Sequence, residues 1–286
     1  MRDRAPARSN IARAFKMASL FPPVDPDGPA DASPRRRLTP SAAVLPNLIT
    51  LLALCAGLTA IRMAIEHRYE VAFAAILFAA ILDGIDGRMA RYLRATSRFG
   101  AELDSLADFV DFGVAPAFLL YVWALDELGS IGWICALVLA ICTGLRLARF
   151  NSALQVPAPD WHKDFFVGVP APAGALVVLL PIYLDRMGLT IPSQATGAVA
   201  LYTVFVAFLM VSRLPTLSGK RFGRRVPRDG VLPVLVVGVL LVALLASYPF
   251  TFMAFGALIY LIHLPLAWRL WMRADAALPV TAKELS

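Results

Sequence analysis

From residue 44 onward the chain alternates long apolar runs with short polar links. The runs cover approximately 44–64, 70–91, 102–124, 130–150, 167–186, 194–212, 231–247 and 250–272. A helix needs about 20 apolar residues to cross about 30 Å of hydrocarbon, so each run is long enough to span a bilayer. The pattern predicts an all-α, polytopic membrane bundle of about eight helices. Only Ser247, Tyr248 and Pro249 separate the last two runs, which predicts a tight hairpin. Residues 1–40 lie outside the pattern and read as a cytosolic basic tail. Its first half suits a short interfacial helix and its Pro-rich half a disordered segment. Residues 213–230 form a second polar interruption, a basic loop between a core at 41–212 and a C-terminal hairpin and tail at 231–286.

The exceptions to the apolar pattern are the informative positions. Asp83 and Asp86 stand near the end of the second run, and Asp104 and Asp108 near the start of the third. A carboxylate inside a spanning helix costs roughly 2.5–3.5 kcal/mol, so four uncompensated ones would cost on the order of 10 kcal/mol. Positive charge is therefore expected among them. The spacings of three and four put each pair on one helical face. The polar link from Tyr92 to Phe99 lets the two helices fold back and bring the pairs together. Four carboxylates match two divalent cations, and hard oxygen ligands suit Mg²⁺ or Mn²⁺. Gly87 leaves bare backbone beside that site, and Arg91, one turn on, offers a guanidinium fork for phosphate.

Eight residues at set spacings over 26 positions, Asp83, Asp86, Gly87, Ala90, Arg91, Gly100, Asp104 and Asp108, resemble without a gap the signature of the CDP-alcohol phosphotransferases. The resemblance implies a six-helix core followed here by two further helices. It implies that Asp83, Asp86, Asp104 and Asp108 hold the metals and that Asp108 is also the catalytic base. Gly87, Arg91, Ser97 and Gly100 then belong to the CDP-lipid site, and a homodimer is expected.

Composition narrows the class. With 59% hydrophobic and 16% charged residues the chain is too apolar for an ordinary soluble domain. The net charge of +7 does not point to nucleic acid, because its arginines and lysines cluster at the ends of apolar runs, where they orient the chain and meet anionic head groups. Their alternation places both termini, and the mouth of the aspartate cluster, on the cytosolic side of the inner cell membrane. Arg13, Lys16 and Ser19 interrupt the stretch from Ile11 to Phe21, so no signal peptide is expected. Cys55, Cys135 and Cys142 lie in apolar segments and read as small core residues.

Other candidates carry two readings each. Pro46-Asn47-Leu48-Ile49-Thr50 is either a helix start or, with Asn47 and Thr50 at the depth of the aspartates, a contact for cytidine or its ribose; it is similar to the start of the family's core. Asp111, one turn past Asp108, is either a polar residue at a helix crossing or a fifth carboxylate for a metal-bound water or the second substrate. Arg146 and Arg149 are either topology arginines at a membrane boundary or acceptor contacts. The string Leu145-Arg146-Leu147-Ala148-Arg149-Phe150-Asn151, with Gly168-Val169-Pro170-Ala171-Pro172-Ala173 later, looks like the phosphatidylserine synthase branch. That resemblance implies that an arginine pairs with the carboxylate of serine and that Asn151 orients its amine. His162 is alone, Glu102 reads as a solvated charge, and the 213–230 loop lacks the spacing of a phosphate-binding loop.

The expected reaction is transfer of phosphatidyl from CDP-diacylglycerol to L-serine by direct displacement. The alternatives are the same chemistry on choline, glycerol 3-phosphate or an inositol phosphate, or a non-enzymatic divalent-cation carrier. A carrier has no need of Gly87, Arg91 and Gly100 at fixed spacing.

Overall fold

The computed structural model describes residues 40–93, 97–153, 165–189, 195–212, 215–217 and 231–276. The N-terminal tail, His162 and most of the 213–230 loop lie outside the described residues.

Helix α1 spans Pro40–Ile65 and α2 spans Tyr69–Tyr92. They pack along their lengths because Ala53, Ala60 and Ala64 meet Ala72, Phe73, Ile76 and Ala79, all buried. Small side chains let two helices approach where lipid offers no hydrophobic drive. Helix α3, Arg98–Phe109, begins at Ser97, whose Oγ accepts a hydrogen bond from the backbone N–H of Gly100 at 2.9 Å and so caps an otherwise unpaired donor. A π-helical turn at Val110–Val114 joins it to α4, Ala115–Trp123. A 3₁₀ turn at Leu125–Leu128 leads into α5, Ser130–Ala153.

The run at 167–186 departs from the expected single span. It forms two short helices, α6 at Ala171–Val178 and α7 at Leu180–Arg186. Pro181 lies in the first turn of the second, where its missing N–H cannot continue the ladder from the first. The Tyr183 hydroxyl bridges the break by donating to the Leu176 carbonyl at 2.9 Å. Helix α8 covers Thr196–Val211, α9 Val231–Ser247 and α10 Pro249–Ala276.

The fold is helical except for one short ribbon. Strand β1, Phe165–Val167, pairs antiparallel with β2, Pro215–Leu217, with Phe166 opposite Thr216. The all-α expectation holds, with that ribbon as the one addition among the described residues.

Among the described residues four segments are long and apolar enough to cross a membrane: Val44–Ile65, Phe99–Trp123, Ser130–Ala153 and Pro249–Leu266. Helix α2 has the length but carries Glu70, Asp83, Asp86, Arg88 and Arg91. Helix α9 is apolar on every face and exposed over almost its whole length, an arrangement suited to lipid and not to water.

Candidate active site

The aspartates come from two helices that hardly touch. Helices α2 and α3 both lean on α1, which leaves a gap between them at the aspartate end. Across it, Asp83, Asp104 and Asp108 each offer a carboxylate oxygen within 4.8 Å of the others. Carboxylates this close repel one another unless a proton or a cation lies among them. The donor set, all oxygen and all acidic, fits a hard divalent cation.

Asp86 stands outside that triad. It is 3% exposed, its Oδ2 accepts the Thr50 hydroxyl at 2.7 Å, and its Oδ1 is buried without a hydrogen-bond partner among the described residues. An orphaned buried carboxylate oxygen is a costly feature that a bound cation would relieve. Asp104 links the two parts, since it belongs to the triad and also shares a cleft wall with Asp86.

That cleft has a volume of about 400 Å³. Its wall includes Asn47, Thr50, Gly87, Arg91, Ser97 and Gly100, so all six positions expected for the CDP-lipid fall together. A side chain at Gly87 would meet nothing within 4 Å, so its backbone faces open space. A Cβ at Gly100 would stand 2.8 Å from the Asn47 side-chain oxygen and 3.0 Å from Ser97 Oγ, so glycine is what allows these elements to approach. Arg91 lies along the wall with Nε donating to the Gly87 carbonyl at 2.9 Å. Helix α3 begins here, and the positive end of its dipole favours an anionic occupant. Glu102 is exposed, as a solvated charge should be.

The residues expected for the acceptor separate. Arg146 is half-buried on α5, and its charge acts on Asp108 and Asp83. Its Cζ lies 5.7 Å from the centroid of the Phe150 ring, within cation–π range. Arg149 turns elsewhere: its Nη1 donates to the carbonyl of Val211 at 2.6 Å, with the Ser212 carbonyl at 3.5 Å. It thereby caps the end of α8, which the pairing of arginine with acceptor did not anticipate. Asn151 donates through Nδ2 to Ser105 Oγ at 2.8 Å, and Ser105 donates to the Ala101 carbonyl at 2.9 Å, so α5 is tied to α3 beside Asp104. Asp111 is 1% exposed, with Oδ1 pressed against Gly57 of α1 and lacking a hydrogen-bond partner among the described residues. Asp111 lies in the π-helical turn that follows α3.

Residues 43–211, more than half the chain, match the family model described as CDP-alcohol phosphatidyltransferase. The chain belongs to that family. It is similar to proteins named CDP-diacylglycerol–serine O-phosphatidyltransferase in several organisms. One from Mycobacterium leprae is 40% identical over 235 residues, 82% of this chain and 77% of that protein. One from Mycobacterium tuberculosis strain H37Rv is 41% identical over 239 residues, 82% of both chains. One from Helicobacter pylori strain 26695 is 34% identical over 171 residues, 60% of this chain and 70% of that protein.

In this CDP-alcohol phosphatidyltransferase, Gly57 and Ser105 escaped the reading of the sequence. Gly57 left a trace there: Ala53, Gly57, Ala60 and Ala64 recur at helical spacing and form a small-residue face, all buried. Ser105 left none, because nothing in its spacing announces Asn151, 46 residues away.

Proposed function

We propose that this chain transfers the phosphatidyl group of CDP-diacylglycerol to the hydroxyl of L-serine, forming phosphatidylserine and CMP. The observation that carries the reading is the cleft of about 400 Å³ that presents Asn47, Gly87, Arg91 and Ser97 beside Asp86 and Asp104. The activity in the relatives' names supports serine as acceptor.

Asp83, Asp86, Asp104 and Asp108 would hold two divalent cations, Mg²⁺ or Mn²⁺, which when bound neutralise charge on the diphosphate. The open backbone at Gly87, the α3 N-terminus and Arg91 receive the phosphates, with Ser97 and Gly100 shaping the wall. Asn47 meets the cytidine or its ribose, and Thr50 serves the same wall through its hold on Asp86. In the displacement, the serine oxygen bonds to the phosphorus that carries diacylglycerol. The bond from that phosphorus to the oxygen of CMP breaks, and the hydroxyl proton passes to Asp108.

Arg146 pairs with the serine carboxylate, with Asn151 and Asp111 on the side of its amine. Arg149 supports the site from outside by capping α8. With Arg91 given to the diphosphate, one further guanidinium whose charge acts on the aspartates among the described residues, that of Arg146, suits a monocarboxylate better than a phosphorylated acceptor. A choline cage has little to draw on, because Phe112 is fully buried in the core and Phe109 packs on Gly113 and Gly144. With this reading we adopt eight spans, the short helices α6 and α7 together making one of them, with cytosolic termini and a site open to the cytosol at the inner membrane, which the arginine and lysine distribution supports.

Purified protein supplied with CDP-diacylglycerol, Mg²⁺ or Mn²⁺, and serine, choline or glycerol 3-phosphate in separate reactions should yield phosphatidylserine from serine alone. A phospholipid product from another acceptor, with none from serine, would overturn the assignment.

A further inference from the structure

Helix α5 lies antiparallel along α3 and the π turn that follows it. A Cβ at Gly113 would stand 3.1 Å from Thr143 Cβ and one at Gly144 3.2 Å from the Phe109 ring, so a glycine on each side lets the backbones close. At the polar end of this seam the Asn151 amide meets Ser105 Oγ at 2.8 Å. Asp108 lies between Ser105 and Phe109 on one helix, and Arg146 between Gly144 and Asn151 on the other. Ser105 also reaches the cleft, because its hydroxyl bonds to the carbonyl of Ala101, which shares the cleft wall with Asp104.

Counting protons fixes how the Asn151 amide is turned. The hydroxyl of Ser105 has one proton, and it goes to the Ala101 carbonyl at 2.9 Å, one turn back along α3. Towards Asn151 the oxygen can then only accept, so the NH₂ of the amide must face α3 and Oδ1 must turn away from it. Asn151 is half-buried, and no described residue hydrogen-bonds to that Oδ1. The orientation decides what the amide can recognise. A free Oδ1 accepts from an ammonium, whereas a free NH₂ would offer donors suited to an anion.

We infer that Ser105 is a positioning residue that sets acceptor specificity: its hydrogen bond with Asn151 keeps the Asn151 Oδ1 turned to the ammonium of the incoming serine. The inference deepens the serine reading and rests on Asn151 standing beside the acceptor amine. Arg146, on the same helix, takes the carboxylate. Without the Ser105 lone pair the amide can reverse, and the ammonium then meets donors where it needs an acceptor. Recognition of the carboxylate and of the CDP-lipid is untouched.

The test uses the full chain with Mn²⁺ and follows CMP release for Ser105→Ala, Ser105→Thr, Asn151→Ala and the variant carrying both alanines. Alanine favours a helix more than serine does, so α3 should persist in Ser105→Ala. Its KM for serine should rise about tenfold, the scale of one hydrogen bond to a charged group, with the KM for CDP-diacylglycerol unchanged. Inhibition by 3-hydroxypropanoate, which is serine without its ammonium, should change by less than about twofold, because that compound does not use the amide. Ser105→Thr keeps a hydroxyl that can bond one turn back, and its serine KM should stay within about twofold of wild type. In the Asn151→Ala background, Ser105→Ala should add less than about twofold, because the two residues act as a unit. An unchanged serine KM in Ser105→Ala, an equal loss for serine and 3-hydroxypropanoate, or equal effects in both backgrounds would each overturn the proposal. If Asn151→Ala raises the serine KM and Ser105→Ala does not, only the role of Ser105 falls. If the unmodified protein forms no phosphatidylserine, the serine reading fails and takes this inference with it.

Discussion

Thr50 donates its hydroxyl proton to Asp86 at 2.7 Å, joining α1 to α2 across 36 positions of sequence. The same oxygen lies 3.1 Å from the Pro46 carbonyl, but a hydroxyl has one proton, and the shorter contact to a carboxylate takes it. Thr50→Val keeps the shape and removes this tie. The variant should lose about 1–3 kcal/mol of stability and need a higher divalent-cation concentration for half-maximal activity. Thermal melts and metal titrations of CMP release check both.

Asp108 is the assigned base and one of the three gathered carboxylates. Asp108→Asn should reduce turnover by roughly 10²–10⁴, the usual contribution of a positioned base, while the protein still folds. Chelation of divalent cations should abolish CMP release in the unmodified protein, and added Mg²⁺ or Mn²⁺ should restore it. Near-normal turnover in the variant would remove the base assignment.

Gly87 and Gly100 line one cleft and should respond differently to alanine. At Gly87 the added methyl meets no protein atom within 4 Å and intrudes only on a ligand. Gly87→Ala should therefore melt like wild type and show a raised KM for CDP-diacylglycerol. Gly100→Ala drives a methyl against Asn47 and Ser97 and should lower the melting temperature as well.

Gly57 gives Asp111 its place. A Cβ there collides with Asp111 Oδ1, so Gly57→Ala should cost about 1–3 kcal/mol by overpacking. Asp111→Ala in the same chain relieves the collision and should recover part of the lost stability, as melting of the single and double variants would show.

Arg149 serves the end of α8 through the Val211 and Ser212 carbonyls. Arg149→Ala should destabilise by about 1–3 kcal/mol and raise the serine KM less than Arg146→Ala does. A serine-specific defect without loss of stability would return Arg149 to the acceptor site.

Much of this was legible in one dimension. The lengths of the apolar runs determined a helical membrane protein, because span length is set by bilayer thickness and helical rise. The spacing of Asp83 with Asp86 and of Asp104 with Asp108 determined that each pair shares a helix face, because helical period alone decides that. The pairing of faces was beyond the sequence. Only the tertiary structure put Asp83, Asp104 and Asp108 together with Asp86 to one side on Thr50, turned Arg149 away to α8, set Asp111 on Gly57 through a π turn, and broke the 167–186 run at Pro181. Those outcomes depend on how far each helix rotates and how closely it approaches its neighbours. Contacts between small residues far apart in the chain set both, and no local spacing encodes them.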